Sequence, residues 1–288
     1  MAERLTAKEV NADLNARTKA RIEALKEQDI IPTLGIIRVG EKDSDLSYER
    51  GAIKRCETLG AAYKQYILPA DASQEAVLDV IREANNDDAV HGILIFRPLP
   101  KTIDEKAVIA ALDPEKDIDG ITDGSMEGIY SGSDHGFPPC TAEAVIQILD
   151  HYDIDPDGMN AVVIGRSQVI GKPVSMMLLR KNATVTICHT HTRNMKEITK
   201  NADIVIAAAG KAGIVDASYL SEGQTVIDVG IHVTEEGKLC GDVDYGSAEP
   251  VVGAITPVPG GVGGVTTSVL ISHVVEAAER MMRRNKNA

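Results

Sequence analysis

Ala161-Val-Val-Ile164 runs without a break into Gly165-Arg-Ser-Gln-Val-Ile-Gly171-Lys-Pro173. Four apolar residues in a row, three of them β-branched, read as a strand buried on both faces. The residues after Ile164 read as a glycine turn that opens a helix. Glycine in such a turn lets the main chain come close to a pyrophosphate, and a helix N-terminus offers free N–H groups and the positive end of a dipole. The spacing is not G-x-G-x-x-G, and an ordinary glycine turn of an α/β protein would look the same at this level. Arg166 adds to the dinucleotide reading, because a guanidinium beside a ribose can hold a 2′-phosphate. The next strand, Thr184 to Cys188, ends in His189-Thr190 with no carboxylate for a ribose 2′-hydroxyl, which favours NADP and leaves NAD open. A solvated loop arginine is the plainer account of Arg166.

Working outward, further strands are expected at Ile204 to Ala207 and Thr225 to Val229. Toward the N-terminus, Val10, Leu14, Ile22 and Leu25 share one face of a helix from Glu9 to Glu27, with Thr18 filling the gap, and the buried run Leu34 to Val39 comes next. The alternation continues with a helix at Leu46 to Leu59, a strand at Tyr63 to Leu68, a helix at Ser73 to Ala84 and a strand at Gly92 to Ile95. Strands separated by single helices give an α/β protein with mostly parallel sheets covered on both faces. Between Pro98 and Thr141 the chain is rich in Pro, Gly, Asp and Ser, which reads as loop and interdomain connection. A helix from Thr141 to His151 then opens the second series. The long amphipathic helix Thr266 to Met282 is placed to cross back and brace the first domain. The division expected is residues 1–140 with 266–288 as one domain and 141–265 as the other.

At 288 residues the chain exceeds the usual size of one hydrophobic core. A formal charge of −13 argues against nucleic acid as partner, since counterion release needs a basic face. An anionic ligand must therefore find local cations or helix N-termini. Cys56, Cys140, Cys188 and Cys240 form no C-x-x-C pair, so neither a zinc knuckle nor a disulfide framework is indicated, and no metal is expected. The start MAERLTAKEV has no apolar core segment, and no run approaches the roughly 18 apolar residues of a membrane span. A cytoplasmic protein is expected, without nucleic acid or membrane as partner.

Further motifs resemble those of the methylenetetrahydrofolate dehydrogenase/cyclohydrolase family nearly end to end. They are Val39-Gly40 with Ser47-Tyr48, Gly92-Ile-Leu-Ile95 with Pro98-Leu-Pro100, Pro114-Glu-Lys-Asp-Ile-Asp-Gly120 and Pro139-Cys-Thr141. The order continues with Gly165-Arg-Ser167, Gly171-Lys-Pro173, Ala183-Thr-Val-Thr186, Asp228-Val-Gly230, Gly241-Asp-Val-Asp244 and Thr256-Pro-Val-Pro-Gly-Gly-Val-Gly263. The resemblance implies a catalytic α/β domain and a Rossmann-type NAD(P) domain with a folate cleft between them, usually as a homodimer. It implies oxidation of 5,10-methylene-tetrahydrofolate to the 5,10-methenyl cation, which most members then hydrolyse to 10-formyl-tetrahydrofolate. The catalytic and substrate positions it implies are Tyr48, packed on the folate, and Asp119, on the pterin. Pro257, Pro259, Gly260 and Gly261 would line the cleft. Cofactor positions would be Gly165, Arg166, Ser167, Gly171, Thr190 and Gly230. On residue type alone, Tyr48 would be a core tyrosine and Asp119 a turn aspartate.

Members with both activities carry a lysine four residues after the tyrosine and a glutamine two residues before Pro-Leu-Pro. Here those places hold Ala52 and Phe96. Lys54 lies about 200° around the helix from Ala52 and should face solvent, while Arg50 and Arg97 stay protonated and cannot serve as general bases. Water attack on the methenyl carbon releases a proton, and a positioned acid/base group normally contributes about 10²–10⁴-fold. Hydride departure has no such need. The expectation is therefore a dehydrogenase with weak or absent cyclohydrolase activity. The alternatives are the ordinary bifunctional enzyme, a folate-binding protein without catalysis, and an unrelated hydroxy-acid dehydrogenase using His189 or His191. Two smaller departures are Ala142-Glu-Ala144, where proline and glycine are common, and Gly264, where proline is usual.

Overall fold

In this computed structural model residues 1–287 are described. The chain begins with β1 (Glu3–Arg4) and α1 (Ala7–Lys26), on which Val10, Leu14, Thr18, Ile22 and Leu25 are all buried. Thr18 satisfies its hydroxyl on the Leu14 carbonyl, so it fits the apolar stripe without an orphaned donor. Next come β2 (Thr33–Val39), α2 (Asp43–Leu59), β3 (Ala62–Leu68), α3 (Gln74–Asn86) and β4 (Gly92–Ile95). The three strands form one parallel sheet in the order β3-β2-β4. After β2 the chain goes to one side for β3 and returns on the other for β4. The carboxyl end of β2 is therefore a point where strand order reverses, the place at which open α/β sheets leave a crevice.

The segment expected as loop from Pro98 to Thr141 holds more structure than its composition indicates. It contains α4 (Glu105–Ala111), a 3-10 turn at Pro114–Lys116 and α5 (Asp123–Ser131). Its polar residues are caps: Asp104 accepts from the Lys106 and Ala107 amides, and Thr122 accepts from the Ser125 amide. Helices of seven and nine residues are too short for an apolar period to register, and the turn-forming residues at their ends dominate the reading.

The second series is α6 (Cys140–His151), β5 (Asn160–Ile164), α7 (Gly171–Arg180), β6 (Thr184–Cys188), α8 (Met195–Lys200), β7 (Ile204–Ala207) and β8 (Thr225–Asp228). A short hairpin, β9 (His232–Val233) and β10 (Leu239–Cys240), leads to α9 (Tyr245–Ala248), β11 (Ala254–Ile255) and α10 (Val262–Asn287). Six strands pair in the order β1-β11-β8-β7-β5-β6, every pair parallel. From β5 the chain goes outward to β6, then back past β5 to β7. The end of β5 is the reversal point of this sheet, and Gly165 stands on it.

Two compact units result, both α/β, the second of Rossmann type. One comprises Leu14–Cys140 with the chain from Thr267 onward, and the other comprises Met1–Asp13 with Thr141–Thr266. Each has its own core: Ile37, Ile81, Ile93 and Val108 are buried in the first, and Val162, Val205, Val226 and Ile255 in the second. Among the described residues no helix is long and apolar enough to cross a membrane.

Candidate active site

In the Rossmann-type unit, parallel pairing puts the carboxyl ends of all strands along one edge, so the turns after β5, β6, β8 and β11 are gathered there. That edge carries Gly165 to Gly171, Thr190, Gly230 and the loop Pro257 to Gly261. Gly165 has φ +134°, a conformation side-chain-bearing residues rarely adopt, and a Cβ there would meet the Ala208 carbonyl. A Cβ on Gly171 would meet the Gly165 carbonyl, so this second glycine lets α7 begin directly against the turn. The free donors are not where the helix start would place them. The Gly171 amide is bonded to Ser167 Oγ, the Lys172 amide to the Ser167 carbonyl, and Pro173 has none. Among the described residues it is the Arg166, Ser167, Gln168 and Val169 amides, in the loop itself, that donate to nothing.

Arg166 and Thr190 are exposed, and the Arg166 guanidinium has no partner among the described residues. At the end of β6, His189 Nδ1 accepts from the His191 amide at 3.2 Å, and the His189 amide donates to Thr192 Oγ1 at 2.8 Å. Gly230 donates its amide to Asp228, a buried carboxylate that also accepts from the Asp242 and Val243 amides. Burial pushes the Asp228 carboxyl up to about 6 against those three bonds. In the loop after β11, Pro257 and Gly261 are more covered than Pro259 and Gly260. The Gly260 carbonyl accepts from the Ala7 amide, and the Val258–Pro259 peptide is cis.

In the other unit, Tyr48 on α2 follows the reversal point and Phe96 follows β4. Their rings meet edge to face with centroids 5.9 Å apart, and Tyr48 keeps 37% of its surface exposed. Lys54 and Arg50 are exposed, while Ala52 is wholly buried on the inner face of α2. The two aspartates of Asp117-Ile-Asp119 part company. Asp117 is buried and spent on structure, accepting from the Ile121 and Thr122 amides and the Ser125 hydroxyl. Asp119 is half-buried and no main-chain amide among the described residues donates to it. Desolvation, reinforced by the Asp117 charge, raises its carboxyl to about 6, while Arg97 and the Cys140 thiol pull the other way. Tyr48 with Phe96, and Asp119 with Arg97, thus flank one short stretch after β4.

Four residues at this end escaped the sequence reading. Arg38 and Glu49 form a buried ion pair at 2.7 Å, completed by Gln65 on the other Glu49 oxygen. Lys42, at the start of α2, bonds the Pro98 carbonyl. A charged residue at the end of a buried strand and another on the inner stripe of a helix were the available signal for the pair. A cavity of about 240 Å³ in this unit lies elsewhere, lined by residues such as Asn85, His91, Lys116 and Arg284, and holds none of the expected site residues.

Residues 5–119 match the catalytic domain of the tetrahydrofolate dehydrogenase/cyclohydrolase family, and residues 139–282 match its NAD(P)-binding domain. The chain is 49% identical over 279 residues to the bifunctional protein FolD 1 of Desulfitobacterium hafniense, covering 97% of this chain and 99% of that one. Its fold is similar to the bifunctional FolD methylenetetrahydrofolate dehydrogenase/cyclohydrolase of Campylobacter jejuni, with a TM-score of 0.93, 35% identity and coverage of 97% and 99%. It is also similar to the Trypanosoma brucei methylenetetrahydrofolate dehydrogenase-cyclohydrolase complexed with NADP and an inhibitor, with a TM-score of 0.90, 31% identity and coverage of 98% and 99%.

These likenesses correct the expectation that the cyclohydrolase step is weak or absent and that the chain is a variant lacking it. Proteins alike from end to end, one at 49% identity, are bifunctional. Ala52 and Phe96 are real departures, but losing one acid/base pair removes one contribution to a rate rather than the reaction. The carbon that water attacks is already a cation held between two nitrogens, so it is electrophilic without further activation.

Proposed function

We propose, since this chain belongs to the tetrahydrofolate dehydrogenase/cyclohydrolase family, that it oxidises 5,10-methylene-tetrahydrofolate with NADP and hydrolyses the resulting methenyl cation to 10-formyl-tetrahydrofolate. The observation that carries the reading is the glycine turn at the reversal point of the six-stranded sheet, joined to a match with both family domains. An Arg166 guanidinium and four loop amides without a partner among the described residues, with a β6 end that carries no carboxylate, fit a dinucleotide bearing a 2′-phosphate. Gly165, Ser167, Gly171, Thr190 and Gly230 complete the nucleotide edge.

When bound, NADP supplies the hydride acceptor. The chain's part is to hold the folate and keep water from the carbon while the hydride leaves. Tyr48 offers an exposed ring edge for the folate to lie on, and Asp119 an oxygen acceptor for the pterin N–H groups. The family resemblance also assigns Pro257, Pro259, Gly260 and Gly261 to folate binding. In the second step water adds to the methenyl carbon and loses a proton, and the adduct opens as the carbon–N5 bond breaks and N5 takes a proton. We place the protein in the cytoplasm as a homodimer, a reading supported by four cysteines that form no C-x-x-C pair and by Tyr63 and Ile67 exposed on the edge strand β3.

The test is purified protein with methylene-tetrahydrofolate and NADP, monitored at the reduced-nicotinamide and methenyl absorbances. NADPH should accumulate while methenyl absorbance stays low, because hydrolysis keeps pace. Methenyl-folate that decays no faster than in buffer would sink the second step, and no NADPH would sink the first.

A further inference from the structure

His273 lies on α10, 155 positions along the chain from the Asp117-Ile-Asp-Gly120 stretch, yet its Nδ1 is 2.9 Å from the Ile118 carbonyl oxygen. A carbonyl can only accept, so Nδ1 carries the ring proton and donates it. Burial lowers the pKa of His273 and so favours the neutral ring, while the bond to the carbonyl selects the tautomer. The Cys140 thiol donates to the same oxygen at 3.3 Å. The ring is fixed in turn by Phe137, with centroids 5.3 Å apart, and Arg280, two turns further along α10, stacks over Phe137 while bonding the Asp134 and Gly136 carbonyls.

The peptide after Ile118 carries Asp119. One residue before Ile118, Asp117 is locked by three donors from residues 121 to 125. The two residues that precede Asp119 are therefore held by hydrogen bonds, and its own carboxyl, which the Cys140 thiol meets, accepts no main-chain amide among the described residues. Nothing local could hold the Ile118 carbonyl, because the stretch is neither helix nor strand there. The bond from α10 does it.

We propose that His273 is a positioning residue of the folate site: its Nδ1–H fixes the Ile118 carbonyl and so sets the direction in which Asp119 presents its carboxylate to the pterin. The proposal rests on the folate-binding role of Asp119. It adds that an element far along the chain determines folate affinity without touching folate.

The stereochemistry of the histidine supplies the test. Asn places its Nδ2 where His places Nδ1, one bond from Cγ, whereas Gln reaches the Nε2 position and Leu offers no donor. His273→Asn should keep the Michaelis constant for methylene-tetrahydrofolate within about twofold, and His273→Gln and His273→Leu should raise it about tenfold, the effect of losing one buried hydrogen bond. The Michaelis constant for NADP and kcat should stay within about threefold in all three. A purely structural histidine would show itself as equal losses in Asn and Gln variants, or as a fall in melting temperature with the folate constant unchanged, and either result overturns the proposal. If Gln and Leu variants are too unstable to purify, a folate constant for His273→Asn raised about tenfold would overturn it alone. Failure of the underlying reading is distinguishable, because the unsubstituted protein would then show no turnover of methylene-tetrahydrofolate.

Discussion

Asp119 accepts no main-chain amide and Arg166 has no side-chain partner among the described residues, so each can turn to a ligand. In its proposed role as acceptor for pterin N–H groups Asp119 must be ionised, and burial and the Asp117 charge raise its carboxyl to about 6. The kcat/KM for folate should fall about tenfold per pH unit below that point and level above it, and Asp119→Asn should be slow and lack this break. A pH–rate profile checks both. For folding the sign is reversed: a raised carboxyl contributes stability below its ordinary value of 3.8 and loses it as pH rises through about 6. Arg166→Ala should raise the Michaelis constant for NADP about tenfold or more and leave that for NAD nearly unchanged, the loss of a charge-assisted contact to phosphate. Equal effects on the two nucleotides would return Arg166 to the role of a solvated loop residue.

At the scale of elements, the inner stripe of α2 is Asp45, Glu49, Ala52, Cys56 and Leu59, all buried. Glu49 is tolerable there only because Arg38, reaching over from β2, neutralises it at 2.7 Å with both side chains almost fully covered. Arg38→Ala should destabilise the protein by about 3–5 kcal/mol, since it strands a buried carboxylate. The double change Arg38→Met with Glu49→Leu should be close to neutral, as apolar isosteres of buried ion pairs often are. Urea midpoints of the two variants decide the matter. Legibility at this scale tracked length. The four-residue run at β4 was plain because its strand is buried on both faces, whereas α4 and α5 were hidden, and their capping residues Asp104 and Thr122 read as loop. The buried pair was hidden for another reason: Arg38 and Glu49 are eleven positions apart, and only the packing of α2 on β2 brings them together.

For the whole molecule, the residues proposed for the nucleotide all belong to one unit with its own core, so NADP should stabilise by mass action. At a hundred times its Kd it should add about 2.7 kcal/mol, and Arg166→Ala at the same concentration roughly half of that. Thermal melts with and without NADP measure it. The departures at Ala52 and Phe96 show why a single missing pair is a poor guide to what a whole chain does. A proton can leave an attacked water by more than one route, whereas likeness along 97% of the chain constrains every part of the fold at once.

Sequence alone determined the two parallel sheets, because burial on both faces writes a continuous apolar run for each central strand. It determined the glycine turn after β5 as well, because the φ of Gly165 and the close approach at Gly171 admit little besides glycine. Only tertiary structure decided which loop amides are left free, which of two neighbouring aspartates is spent on its own turn, and that His273 holds the Ile118 carbonyl. Those are pairings between groups distant along the chain, and no local pattern carries the information of who meets whom.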